Sequence, residues 1–224
     1  DRVFMMAHVL RFWPEYVELA RRARSGEIGE PVSALATRRQ AFPAWSQLFS
    51  RPDLTGGAIV DMLIHDIDVL NWIFGTPVAV SARGRRNPGS GGWDQAQLLI
   101  EYADGGSALI DGGMLMPDSY RFTSSLHLLG ERGALEYDFR AGGRSLEEGE
   151  GTNQLVLFPG EGDPAEIEAS QVDPYFAECS YFIECVRSGQ PAERATVADA
   201  RVALGVALAA RKALERPGLS TITL

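Results

Sequence analysis

Gly56-Gly57-Ala58-Ile59-Val60-Asp61-Met62-Leu63-Ile64-His65-Asp66-Ile67-Asp68-Val69-Leu70-Asn71-Trp72-Ile73-Phe74-Gly75 is the most informative run in this 224-residue chain. At 100° per residue, Asp61, His65 and Asp68 fall within a sector of roughly 60°, while Ile59, Leu63, Ile64, Ile67, Leu70, Ile73 and Phe74 cover much of the remaining circumference. A single helix apolar on so many sides is buried and takes its charges in with it. An unpaired buried carboxylate costs several kcal/mol, so Asp61 and His65, one turn apart with Cβ atoms about 5–6 Å from each other, are expected to pair as an oriented acid/base dyad. Spacing alone leaves two other readings open, a satisfied structural pair and a metal site built on His65 and its neighbouring carboxylates. Against the metal, the helix carries no second histidine within ligand distance, and the HExxH pattern is absent.

Composition narrows the class. The chain is 45% hydrophobic and 23% charged, ordinary for a globular protein able to bury a real core. A formal net charge of −9 and a pI near 4.9 argue against a nucleic-acid or anionic-membrane partner, because those demand basic faces. Arginine carries nearly all the positive charge, Lys212 being the sole lysine. Cys179 and Cys185, six positions apart in one expected helix, lie about 9 Å apart along its axis, beyond disulfide reach, and read as core thiols of a reducing compartment. No apolar run of 18 residues and no signal peptide are present, which points to the cytoplasm. The chain begins at Asp1 in the middle of an apolar run, as the later part of a longer protein would.

Working outward, residues 3–10 read as a buried strand that enters a helix at Pro14, with Tyr16, Leu19, Ala20 and Ala23 at helical spacing until Ser25-Gly26. Residues 32–41 are β-like. The 43–55 segment has no period but holds Trp45, Leu48 and Phe49, consistent with either a substrate lid or a packed irregular connection. Past Gly75 and Pro77 the period changes from 3.6 to 2. Strand-length runs at 78–85, 95–102, 107–116, 120–129, 134–139 and 154–158 are separated by turn signals such as Asp104-Gly105, and links so short imply antiparallel pairing. Two helices follow, one capped by Asp173-Pro174 with an apolar stripe through Phe176, Phe182 and Val186. The other opens with Thr196 and Asp199 and ends at Pro217-Gly218. A short strand at 220–224 closes the chain. The expected fold is α+β, an open, mainly antiparallel sheet with helices packed on one face, in a single domain spanning 1–224. Gly160-Glu161-Gly162-Asp163-Pro164-Ala165 matches a dinucleotide fingerprint in form only. Its acidic residues repel a pyrophosphate, Pro164 removes an N–H, and no apolar helix follows.

Four stretches together resemble the Gfo/Idh/MocA family (glucose-fructose oxidoreductase, inositol dehydrogenase, rhizopine catabolism), specifically its C-terminal domain. They are the 8–14 run with His8, Arg11, Phe12 and Pro14, the Gly26 to Pro31 turn, the 56–75 helix, and 196–210 with its terminal strand. The pattern of Gly56, Gly57, Asp61, His65 and Asp68 is the most specific. The resemblance implies an NAD(P)-dependent oxidoreductase acting on a sugar, polyol or related hydroxy compound, in which an N-terminal dinucleotide-binding domain, missing here, holds NAD or NADP. It implies that Asp61 and His65 supply two members of a Lys-Asp-His catalytic set, the lysine lying ahead of Asp1, and that the sheet face builds a homo-oligomer. Arg11, His8 and Asp68 are the candidates for substrate contact, and no metal is implied. The competing reading is a binding or assembly module without catalytic activity.

Overall fold

In the computed structural model, residues 2–142, 151–216 and 220–224 are described. Their strands are β1 (Pro31–Ala41), β2 (Pro77–Arg86), β3 (Trp93–Tyr102), β4 (Ser107–Met116), β5 (Thr123–Gly130), β6 (Gly133–Arg140), β7 (Thr152–Pro159), β8 (Ala165–Glu166) and β9 (Ser220–Thr223). They form one sheet in the order β8-β7-β6-β5-β1-β4-β3-β2-β9. Only β1 and β4 run parallel. The helices are α1 (Pro14–Arg24), the one-turn α2 (Pro52–Thr55) and α3 (Ala58–Asp61), α4 (Ile64–Phe74), α5 (Pro174–Ser188) and α6 (Val197–Leu214).

The period-2 alternation read from the sequence becomes two different faces. Ala82, Leu98, Ile110, Ala36, Leu126, Tyr137 and Leu155 are successive neighbours across seven strands, and each is at most 2% exposed. Against this row pack α1, α3, α4 and α6. The α6 helix approaches with small residues, Ala203, Ala207 and Ala210, all fully buried. One residue along each strand the side chains point the other way. There Leu99, Leu109 and Leu35 sit side by side on β3, β4 and β1, and all three are exposed. The expected α+β fold with helices on one face is the fold observed. Among the described residues no helix is long and apolar enough to cross a membrane.

Several local expectations are corrected. Residues 3–8 form no strand; the chain there is irregular and then makes a 3-10 turn at Val9–Arg11. Met6 donates to the Ala195 carbonyl at 3.0 Å, and the His8 N–H turns back on Met6 at 2.9 Å, so no ladder forms. β4 and β5 do not pair despite their short link, because β1 lies between them. The apolar stripe of α5 faces outward, with Phe176 68% and Val186 54% exposed, and Cys179 is exposed while Cys185 is buried. The caps behave as expected: Asp173 accepts from the Phe176 N–H at 2.7 Å, and Thr196 and Asp199 close a capping box. The Pro217-Gly218 stop and the acidic 143–150 stretch lie outside the described residues.

Candidate functional site

The expected 56–75 helix is two pieces. After Gly57, whose φ of +72° and close approach to the Trp93 backbone disfavour a side chain, α3 makes one turn. The Ala58 carbonyl then accepts from both the Met62 and Leu63 N–H groups at 2.9 Å. That i→i+5 bond widens the turn and shifts the angular phase of everything that follows. The sector calculated for a continuous helix therefore fails across residues 62–63; Asp61 and His65 line one cavity without bonding to each other, and Asp68 is held by Arg11 instead.

Each carboxylate on α4 finds an arginine from a distant element instead. Arg11 donates to both oxygens of Asp68, at 2.8 and 3.0 Å, reaches Asp199 at 3.2 Å and lies over Trp72. Arg38 donates to both oxygens of Asp66 at 2.7 and 2.9 Å. It also reaches the Tyr16 hydroxyl at 3.3 Å, which shares a 2.6 Å hydrogen bond with Ser124. Burial pushes that phenol up to about 12. All four charged partners of these two pairs are buried. Bidentate geometry satisfies both ends of each pair, which a buried ion pair requires. Arg11 and Asp68, expected at the substrate, thus hold each other and do not line the cavity described next. The Arg38–Asp66 pair was not foreseen. Its only sequence signals were a charge in an apolar helix and an arginine near the end of β1.

A cavity of about 790 Å³ opens between the loop after β1, α3, the start of α4 and the first turns of α6. His65, Asp61 and His8 line it together with Leu48, Leu54, Val60 and Leu204. The 43–55 segment thereby forms part of the cavity wall. The His65 Nδ1 is enclosed and makes no hydrogen bond. Burial, the Arg38 charge and then His8 hold this imidazole down to about 3. The expected Asp61–His65 pair is not formed among the described residues, so the carboxylate does not offset burial and the imidazole is neutral. Asp61 is exposed at the rim. Its carboxyl is pushed upward by desolvation and by Asp94, a buried carboxylate that accepts from the Ala58 N–H, Asn87 and Ser90. His8 is only 4% exposed, stands edge-on to His65 with centroids 6.0 Å apart, and has no partner at either ring nitrogen. Its Nδ1 lies 3.9 Å from Asp68. Burial dominates and lowers its pKa.

The His65 imidazole faces a largely apolar cavity, where its ring can meet a bound hydroxyl, whereas both ring nitrogens of His8 are enclosed. For a metal, His65, His8 and Asp61 do not bring three ligand atoms together. The described cluster that does, His127, Glu136 and Asp138, sits on the sheet, where Asp138 already engages the His127 Nε2 at 3.1 Å. For a dinucleotide, the 160–165 stretch runs into the two-residue β8 and then irregular chain until α5. It offers no helix N-terminus to a pyrophosphate, so these residues do not fit the phosphates of NAD(P).

Comparison with known proteins agrees with this architecture. The family model for the GFO/IDH/MocA C-terminal domain matches residues 16–136, just over half of the chain. The chain is 27% identical over 208 residues to scyllo-inositol 2-dehydrogenase (NAD(+)) of Bacillus subtilis, covering 89% of this chain and 57% of that protein. It is 27% identical over 218 residues to myo-inositol 2-dehydrogenase of Thermotoga maritima, covering 92% and 60%. The solved aldose-aldose oxidoreductase of Caulobacter crescentus, complexed with glycerol, superposes with a TM-score of 0.82 at 19% identity, covering all of this chain and 64% of that one. The chain thus spans about 60% of the length of the curated relatives it matches. By its matched residues and its fold, the chain belongs to the Gfo/Idh/MocA family through that family's C-terminal domain.

Proposed function

We propose that this chain is the substrate-binding and self-associating part of a cytoplasmic NAD(P)-dependent oxidoreductase that acts on a sugar, polyol or related hydroxy compound. His65 is its proton acceptor. The observation that carries the reading is a neutral, deeply set imidazole, fixed on α4 and facing a cavity of small-molecule size. Alcohol oxidation requires removal of the hydroxyl proton, and His65 is the imidazole that the cavity presents to it; a ring held down to about 3 is a weak base, so bound substrate and cofactor must raise its proton affinity toward neutral for the transfer. Asp61, at the rim of the same cavity, binds a second substrate hydroxyl rather than orienting the imidazole. The Arg11–Asp68 and Arg38–Asp66 pairs hold α4, and so His65, in place.

NAD or NADP is bound mainly by residues outside these 224, because the chain's own glycine run does not fit its phosphates. The exposed apolar residues beside the cavity, Val197, Val202 and Leu204 on α6, supply a surface for such a nucleotide-binding part to cover. On the opposite side, the exposed Leu35, Leu99 and Leu109 row supports association of two copies through the sheet.

The test is His65→Ala in the full-length protein with an inositol or aldose substrate. Loss of the proton acceptor lowers kcat by about 10²-fold or more and leaves NADH binding intact. Unchanged kcat across the pH profile would make His65 structural and the proposal wrong.

A further inference from the structure

On the side of the sheet away from the helices, the exposed leucine row runs on into a group of polar side chains. Leu35 is the register neighbour of His127, and His127 is the neighbour of Glu136 across the β5–β6 pair. Asp138, two residues further along β6, points to the same side. The His127 Nε2 stands 3.1 Å from each oxygen of Asp138. One ligand atom from each of the three residues lies within 4.8 Å of the other two. Among the described residues no arginine or lysine pairs with Glu136 or Asp138, in contrast to Asp66, Asp68 and Asp111, each held by an arginine. His127 and Glu136 also wall a hollow of about 320 Å³, together with Ser33, Leu35 and Leu129.

We propose that His127, Glu136 and Asp138 form a binding site for a divalent transition-metal ion, with zinc the best fit. One imidazole nitrogen and two carboxylates are a ligand set that zinc accepts, whereas magnesium and calcium take oxygen ligands. Two atoms bound to one zinc at about 2.1 Å stand roughly 3.0–3.4 Å apart, so the 3.1 Å between imidazole and carboxylate is already the separation of two ligands on a shared ion. The carboxylate that meets the His127 ring across a hydrogen bond can meet it across a cation, and Glu136 closes the remaining gap by a side-chain rotation. Two carboxylates against one imidazole leave the group short of positive charge, which a dication supplies. Adjacent antiparallel strands hold His127 and Glu136 directly opposite, with Cβ atoms about 4.5–5.5 Å apart, so little backbone order has to be gained on binding. Three protein ligands leave a fourth position for water or an outside group, and the hollow beside His127 and Glu136 gives it room. None of the three residues lines the His65 cavity, so the proposal holds whether or not His65 is a catalytic base and whether or not two copies associate.

The chain holds three histidines, His8, His65 and His127, so each ring can be followed by itself. The experiment titrates the untagged, metal-free 224-residue chain with zinc chloride, by calorimetry and through the histidine ring signals in a long-range ¹H–¹⁵N spectrum. The chain carries Cys179→Ser, which removes the exposed thiol as a competing ligand, and His127→Gln assigns the ring signal. The expected result is saturable binding of one zinc per chain, with the His127 ring nitrogens shifted and those of His8 and His65 unmoved. His127→Gln, Glu136→Gln and Asp138→Asn, measured by calorimetry, each weaken binding about tenfold or more. Magnesium chloride at the same concentrations leaves the His127 ring in place. No saturable binding, shifts at His8 or His65 in place of His127, equal binding by any one of the three ligand variants, or displacement of zinc by equimolar magnesium overturns the proposal. Failure of the His65 kinetics alone would overturn only the catalytic assignment.

Discussion

Acidifying this protein from pH 7 to pH 5 should destabilise it through His65. In the unfolded chain the imidazole takes up a proton around 6.5, whereas burial and the Arg38 charge hold the folded one at about 3. Between those values the unfolded state binds the extra proton, so stability is highest above about pH 6.5 and falls as pH drops toward 3. For one such group the loss from pH 7 to pH 5 is at most about 2 kcal/mol, which for a domain of this size lowers Tm by roughly 4–8 °C. Carboxylates and His8 also respond to acid, so the informative quantity is a difference. Urea unfolding of the natural chain and of His65→Gln at both pH values isolates the His65 contribution, and the natural chain should lose up to about 2 kcal/mol more than the variant. Parallel losses in the two proteins, or a His65 ring that titrates near 6.5 by NMR, would refute the claim that burial outweighs every nearby carboxylate.

Other substitutions probe the supports of that site. Arg38→Met strands Asp66 without a partner and should cost about 3–5 kcal/mol in urea unfolding, while Arg38→Met/Asp66→Leu should recover most of it; equal losses in the single and double variants would contradict a closed ion pair. Arg38→Met should also raise the His65 pKa, read from its ring proton shifts, because a nearby positive charge is gone. Gly112→Ala places a Cβ 2.3 Å from the Arg38 carbonyl and 2.6 Å from Leu63, and should lower stability by about 1–3 kcal/mol as the sheet and the α3–α4 junction are forced apart. Leu109→Asp, on the exposed leucine row, should shift the light-scattering mass to that of a monomer at concentrations where the natural chain associates; a natural chain already monomeric at high micromolar concentration would end that part of the proposal.

What local chemistry specifies was legible in the residues themselves. Alternation in 95–102 and 107–116 set which side of each strand is buried, Asp104-Gly105 and the Gly130–Gly133 turn set two hairpins, and Asp173 and Thr196 with Asp199 set two helix starts. Each rests on groups a few residues apart. The rest depended on partners brought from far along the chain. Insertion of β1 between β4 and β5 is decided by which strands share a core row, and no link length encodes it. The outward stripe of α5 shows that helical periodicity marks an apolar face without saying what covers it. At the candidate site, spacing singled out His65, which faces a cavity, but the expected partnership with Asp61 did not form. One bifurcated carbonyl at Ala58 rotated α4 relative to Asp61, and arginines 57 and 28 residues away took Asp68 and Asp66. A buried carboxylate must be paired, and that requirement can be read from sequence; which cation meets it depends on the tertiary packing, because only the folded backbone determines which guanidinium arrives with its two N–H groups aligned.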